Sequence, residues 1–175
     1  MAHLFKKDEL LVKIYDTRDP FELCKILNIK VHYKNLGTLI KAYYFYQSRI
    51  SNIVINNQMP EEIYQLLCAH ELGHVILHKS IAQARGFFET SLLEECIPTE
   101  YEANLFSAEL LIPTELLVEY IKENNSFFAI AKNLRIPPEL LDFKIRILKY
   151  QGYNFKAPFI AKTDFLKNIL LYENK

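Results

Sequence analysis

The sequence predicts an α+β fold: a small, mainly antiparallel three-stranded sheet packed on two long helices, with further helices behind. Three observations predict it. Residues 60–79 form one helical run that is apolar on nearly all sides, the mark of a buried helix. Ahead of that run, three short stretches rich in β-branched and aromatic residues read as strands. Behind it, from Pro98 onward, the apolar spacing is helical. A chain of 175 residues suffices for one domain with a proper core.

Composition excludes several classes of function. Lysine plus arginine and aspartate plus glutamate both number 21, so the net charge is zero. A dedicated nucleic-acid binder carries a basic footprint that this chain lacks. The opening MAHLFKKDELLVK has no apolar signal region, and no apolar run nears the length of a membrane span, so cytoplasmic residence with no membrane partner is expected. Cys24, Cys68 and Cys96 are odd in number and widely spaced, which does not suit a disulfide framework.

Taken in order, residues 7–16 carry an amphipathic helical pattern at Leu10, Leu11, Ile14 and Tyr15. Asp19-Pro20-Phe21-Glu22 opens a second helix, with Asp19 as N-cap, Pro20 in the first turn and Glu22 as capping-box partner. Residues 29–33 alternate like a strand and Asn35-Leu36-Gly37 signals a turn. Residues 39–46 and 50–55 are the other two strands, separated by Gln47-Ser48-Arg49. His32 falls in a strand and reads as a surface residue rather than a ligand.

In the middle of the long apolar run sit His70, Glu71 and His74. Burial penalises such groups unless something satisfies them. Residues i and i+4 share a helix face, so both imidazoles can converge on one cation, with Glu71 reaching the same point from the side. This is HExxH, the zinc-peptidase pattern. His78 continues the ladder, but each four-residue step rises about 6 Å and rotates about 40°, which takes it beyond a metal held by the first two. It reads as helix-end or outer support. Gly73 costs about 1 kcal/mol relative to alanine in mid-helix, so a close packing contact is expected there.

Residues 80–97 show no sustained period; Arg85 and the Phe87-Phe88 pair lie here, the pair reading as a small satellite core. A helix then runs from Pro98 to Pro113, with Glu100 and Asn104 spaced to share a face. A carboxylate can ligate a metal while an amide one turn on supports a ligating imidazole. Alternatively, Glu100 and Glu102 are solvated acids that suit the first turn of a helix.

HELGH followed by LH, then EYEANLFSAELLIP, resembles the ImmA/IrrE family of metallo-endopeptidases over about residues 29–113. The resemblance implies a minimal zincin-like core of the gluzincin type, with one Zn2+ held by His70, His74 and Glu100. It makes Glu71 the general base and places Asn104 behind the ligands. Glu102 is the alternative third ligand. It also implies an anti-repressor of a phage or mobile element, whose protein substrate is a cognate helix-turn-helix repressor.

Residues 114–122 read as a helix capped by Thr114, and Ser126 as the N-cap of the next. Residues 127–133 and 139–150, around Arg135-Ile136-Pro137-Pro138, read as a helix-turn-helix-like pair. Its five basic side chains stand against two acidic ones, mildly positive but without an evident recognition helix. The expected organisation is a peptidase domain over 1–125, this helical segment over 126–152 and a tail over 153–175, helical from Asp164 to Tyr172. A non-catalytic DNA- or protein-binding module using the helical pair is the alternative. Tyr101, His78 and Arg85 are candidates for a second oxyanion donor. An extended substrate is expected to add to an edge strand at residues 50–55.

Overall fold

The computed structural model describes residues 10–81, 97–123, 125–155, 161–163 and 165–168. The expectations for Arg85, Phe87, Phe88 and Cys96 lie outside these residues.

Helix α1 covers residues 10–15 and α2 covers Pro20–Ile26. Asp19 caps α2 by accepting from the Phe21 N–H, but the expected capping box does not close. Thr17 donates to Glu22 at 2.6 Å instead, so a local hydroxyl occupies the carboxylate.

Strands β1 (Lys30–Lys34), β2 (Ala42–Gln47) and β3 (Ile50–Asn56) form one sheet in the order β1-β3-β2. The antiparallel part is the hairpin β2–β3, with Tyr44 opposite Ile53. Its turn residues Ser48 and Arg49 both have positive φ, the twist that matches a two-residue hairpin. β1 joins the other side of β3 in parallel, with His32 opposite Val54, so the sheet is mixed. β3 is therefore central, and the expected substrate edge at residues 50–55 is wrong. Its backbone is paired on both sides, and Ile53, Val54 and Ile55 are all buried.

Pro60 does not start the long helix directly. Its extended backbone (ψ 140°) leads into a single 3-10 turn, Glu61–Ile63, and the α-helix α3 runs Tyr64–Leu77. Helix α4 (Ile97–Leu111) packs along it, followed by α5 (Thr114–Lys122), α6 (Phe127–Leu134), α7 (Pro138–Tyr150) and the short α8 (Phe165–Asn168). The N-cap of α5 is Pro113, not Thr114, which is its first residue. Ser126 caps α6 as expected, accepting from the Ala129 N–H.

Helix α4 lies between two apolar clusters. On the sheet side, Phe106 and Leu110 meet Leu23, Tyr44, Ile53 and Leu72. On the other, Leu105, Ala108 and Ile112 meet Leu140, Phe143 and Ile147 of α7. At the α3–α4 crossing a Cβ on Gly73 would stand 3.2 Å from the Ala103 Cα, which is why the sequence has glycine there. Arg18 donates to the carbonyls of Glu109 and Leu110 at 2.9 and 3.0 Å, closing the C-terminal end of α4. No described helix is long and apolar enough to cross a membrane.

Candidate metal centre

Close packing at Gly73 brings the first turn of α4 against the middle of α3. His70, His74 and Glu100 converge there, each offering one ligand atom within 4.8 Å of the others. His70 Nε2 and His74 Nε2 stand 3.1 Å apart. Glu100 Oε2 is 3.3 Å from the first and Oε1 3.3 Å from the second. Ligands on a tetrahedral zinc stand about 3.3 Å apart, from bonds of about 2.0–2.1 Å; the two imidazole nitrogens are close to that spacing, and the carboxylate meets each of them with a different oxygen.

Proton bookkeeping supports a cation. Glu102 Oε2 lies 2.9 Å from His78 Nε2, and a carboxylate can only accept, so His78 donates through Nε2. Its Nδ1 is then an acceptor, 3.0 Å from His74 Nδ1, which must carry the proton. That leaves the His74 Nε2 lone pair aimed at His70 and Glu100. Burial holds the His78 pKa below its usual value, against the pull of Glu102, and lowers that of His74 to about 4, so both stay neutral. Burial works against the charged form of Glu100 too, but its contacts with His70 and His74 outweigh it and keep the carboxyl well below its usual range. For His70, burial is likewise outweighed, chiefly by the Glu100 carboxylate, and the pKa rises. A proton on His70 thus supplies, without metal, the positive charge the cluster demands.

Glu71 is 3 % exposed, and burial pushes its pKa up to about 8; the His70 charge opposes this and the Glu100 charge adds to it. Its Oε2 is buried with no hydrogen-bond partner among the described residues, as are His70 Nδ1 and Asn104 Oδ1. Asn104 is fully buried beside His70, and its Nδ2 donates to the Thr163 carbonyl at 2.7 Å.

A family model described as IrrE N-terminal-like domain (Peptidase_M78) matches residues 24–146. The chain belongs to the ImmA/IrrE family of metallopeptidases. The ImmA/IrrE match takes in the whole sheet, both site helices and most of α7. Among relatives, the chain is 34% identical over 134 residues to uncharacterized immunity region protein 2 of Bacillus phage phi105, covering 77% of this chain and 84% of that one. It is 25% identical over 142 residues to metallopeptidase ImmA of Bacillus subtilis strain 168, covering 79% and 82%.

Within this ImmA/IrrE fold, the structure brings His70, Glu71, His74, Glu100, Asn104 and His78 together and separates Glu102 from the other acid. Glu102 sits on His78, one step out from the metal cluster. Its part as the partner of His78 was missed from sequence. Tyr101 turns away, its ring 5.6 Å from that of Phe143. His32 pairs with Asn52 across the sheet, away from the cluster.

Proposed function

We propose that the protein is a zinc-dependent, site-specific endopeptidase and an anti-repressor, cleaving the helix-turn-helix repressor of a phage or mobile element. The observation that carries the peptidase reading is the convergence of His70, His74 and Glu100, with ligand atoms within 4.8 Å of one another and the buried Glu71 next in sequence to His70. His70, His74 and Glu100 would hold the ion. A bound zinc polarises a carbonyl and acidifies a water. As the carboxylate, Glu71 would take the proton of the attacking water and pass it to the leaving amine; burial raises its pKa and so strengthens it as a base. His78 and Glu102 keep His74 in the tautomer that ligates through Nε2. A substrate strand would add to β2, the edge strand over which α3 lies.

The repressor as substrate is supported by the phage immunity region from which one relative takes its name. A DNA-binding role for the α6–α7 pair is less favoured, because two of its basic residues face inward. Lys144 pairs with Glu109 at 2.7 Å, and Arg146 with Asp142 at 3.0 Å.

The test is metal content together with cleavage. Purified protein should carry about one zinc per chain, lost in His70→Ala and in Glu100→Ala. Glu71→Gln should keep the metal and the fold while cleavage of a helix-turn-helix repressor substrate falls by about 10²–10⁴-fold. A Glu71→Gln variant that still cleaves would sink the peptidase reading. Intact repressor with zinc bound would remove only the substrate assignment.

A further inference from the structure

Beyond α7 the chain returns to the rim of the metal centre. Ala161 N donates to Asp142 Oδ2 at 2.7 Å, and Arg146 donates to the Ala161 carbonyl at 2.6 Å. Asn104 takes the Thr163 carbonyl, and Lys41, just before β2, takes the Leu166 carbonyl at 2.6 Å. Ala161 and Phe165 are buried, with the Phe165 ring 5.6 Å from that of Phe143. The polar anchors all hold backbone atoms of this segment.

We propose that residues 161–163 together with Phe165 and Leu166 act as a positioning segment for the metal site, in which the Thr163 carbonyl sets which end of the Asn104 amide faces His70. This rests on the metal reading above. An amide has one accepting end and one donating end, and nothing in its shape decides which faces a neighbour. A backbone carbonyl only accepts, so Thr163 claims Nδ2 and leaves Oδ1 for the His70 side. Asn104 Oδ1 and His70 Nδ1 are both buried, and neither makes a hydrogen bond, to the other or to any other described residue, so each is open to the other. Turned this way, Asn104 offers His70 Nδ1–H an acceptor, and that bond would leave the Nε2 lone pair for the metal. Turned the other way, Nδ2 would face Nδ1 and favour the tautomer with its proton on Nε2, which cannot ligate. His70 would then depend on the segment as His74 depends on His78 and Glu102.

The experiment is a double-mutant cycle on the full chain, read as zinc affinity by chelator competition, with hydrogen exchange at residues 161–168 to report release. Ala161→Pro removes the N–H that Asp142 holds, and Phe165→Ala removes the buried ring; neither touches the site. Each should speed exchange and weaken zinc binding by about 10–100-fold, the usual cost of losing such outer support. Asn104→Asp presents an acceptor to His70 whichever way it turns. In that background the segment variants should still be released, yet zinc affinity should not fall further. Asn104→Ala gives the cycle from the other side: affinity is already reduced, and the segment variants take nothing more. Released segments with wild-type affinity, or an equal loss in the Asn104→Asp background, would overturn the proposal. A wild-type chain that binds no zinc would overturn the metal reading with it.

Discussion

The two clusters that share α4 are built differently. On the sheet side the packing cluster is apolar, built of Leu23, Tyr44, Ile53, Leu72 and Phe106, with the thiols of Cys24 and Cys68 3.8 Å apart. The sheet's own buried polar groups, Ser51 and Asn56, are uncharged. On the helical side, charge is buried among the leucines. Lys144 is fully enclosed against Glu109, and Asp142 is 2 % exposed beneath Arg146 and Ala161. Apolar packing is tolerant of its neighbours, whereas a buried charge demands its own partner at its own place. The sheet side therefore supplies cohesion. The helical side supplies register, fixing where α4 and the returning segment sit relative to α7.

The largest expected effect comes from breaking that register. Lys144→Met leaves Glu109 buried without its cation and should cost about 3–5 kcal/mol in denaturant unfolding. Replacing both partners, with Glu109→Leu added, should recover most of that loss, because no charge is then stranded. Apolar truncations on the sheet side have no such second-site rescue. Equal stability of the single and double variants would erase the distinction between the regions.

The same contrast explains what could be read from sequence. Apolar periodicity announced the sheet-side elements, and the HExxH spacing and Glu100–Asn104 pair placed the site residues within two helices. Pairing order was not legible. Residues 50–55 have the composition of any strand, and only the parallel arrival of β1 makes them central. Lys144 counted only toward the positive charge of the helical pair because its partner Glu109 lies on α4. The Asp142–Arg146 pair, by contrast, has i,i+4 spacing that the sequence does carry. The Thr163 contact has no sequence signature at all, since a backbone carbonyl makes it. Pro60 misled by one turn because its extended backbone suits a 3-10 entry as well as an α-helical one.

A second, smaller effect separates the regions by pH. Without metal, Glu71 has a pKa of about 8, raised from 4.5. A group raised in the fold contributes stability that is fully present below its unfolded pKa and is lost as pH rises through the folded value. Glutamine imitates the protonated acid at every pH. In chelator, Glu71→Gln should therefore match wild type near pH 5 and melt several degrees higher near pH 8. His74, lowered to about 4, contributes above 6.5 and loses that contribution as pH falls through its folded value, but it does so in both proteins and cancels in the difference. A constant difference in melting temperature across that range would remove the buried-acid description of Glu71.

The smallest effect tests the seam itself. Gly73→Ala gains about 1 kcal/mol of helix propensity. It also forces a methyl to 3.2 Å from the Ala103 Cα and from the Phe106 ring, an overpacking that costs about 1–3 kcal/mol. The backbone of α4 cannot yield without moving, and Glu100 stands three residues before Ala103 on the same helix. Net destabilisation of up to about 2 kcal/mol should therefore be accompanied by weaker zinc binding, since the shift draws the carboxylate away from the two imidazoles. Thermal melts and chelator competition on the one variant read both quantities. A Gly73→Ala protein that melts higher and binds zinc as tightly as wild type would mean that the two regions are not held in register at this crossing. The placement of Glu100 would then have to come from the helical side alone.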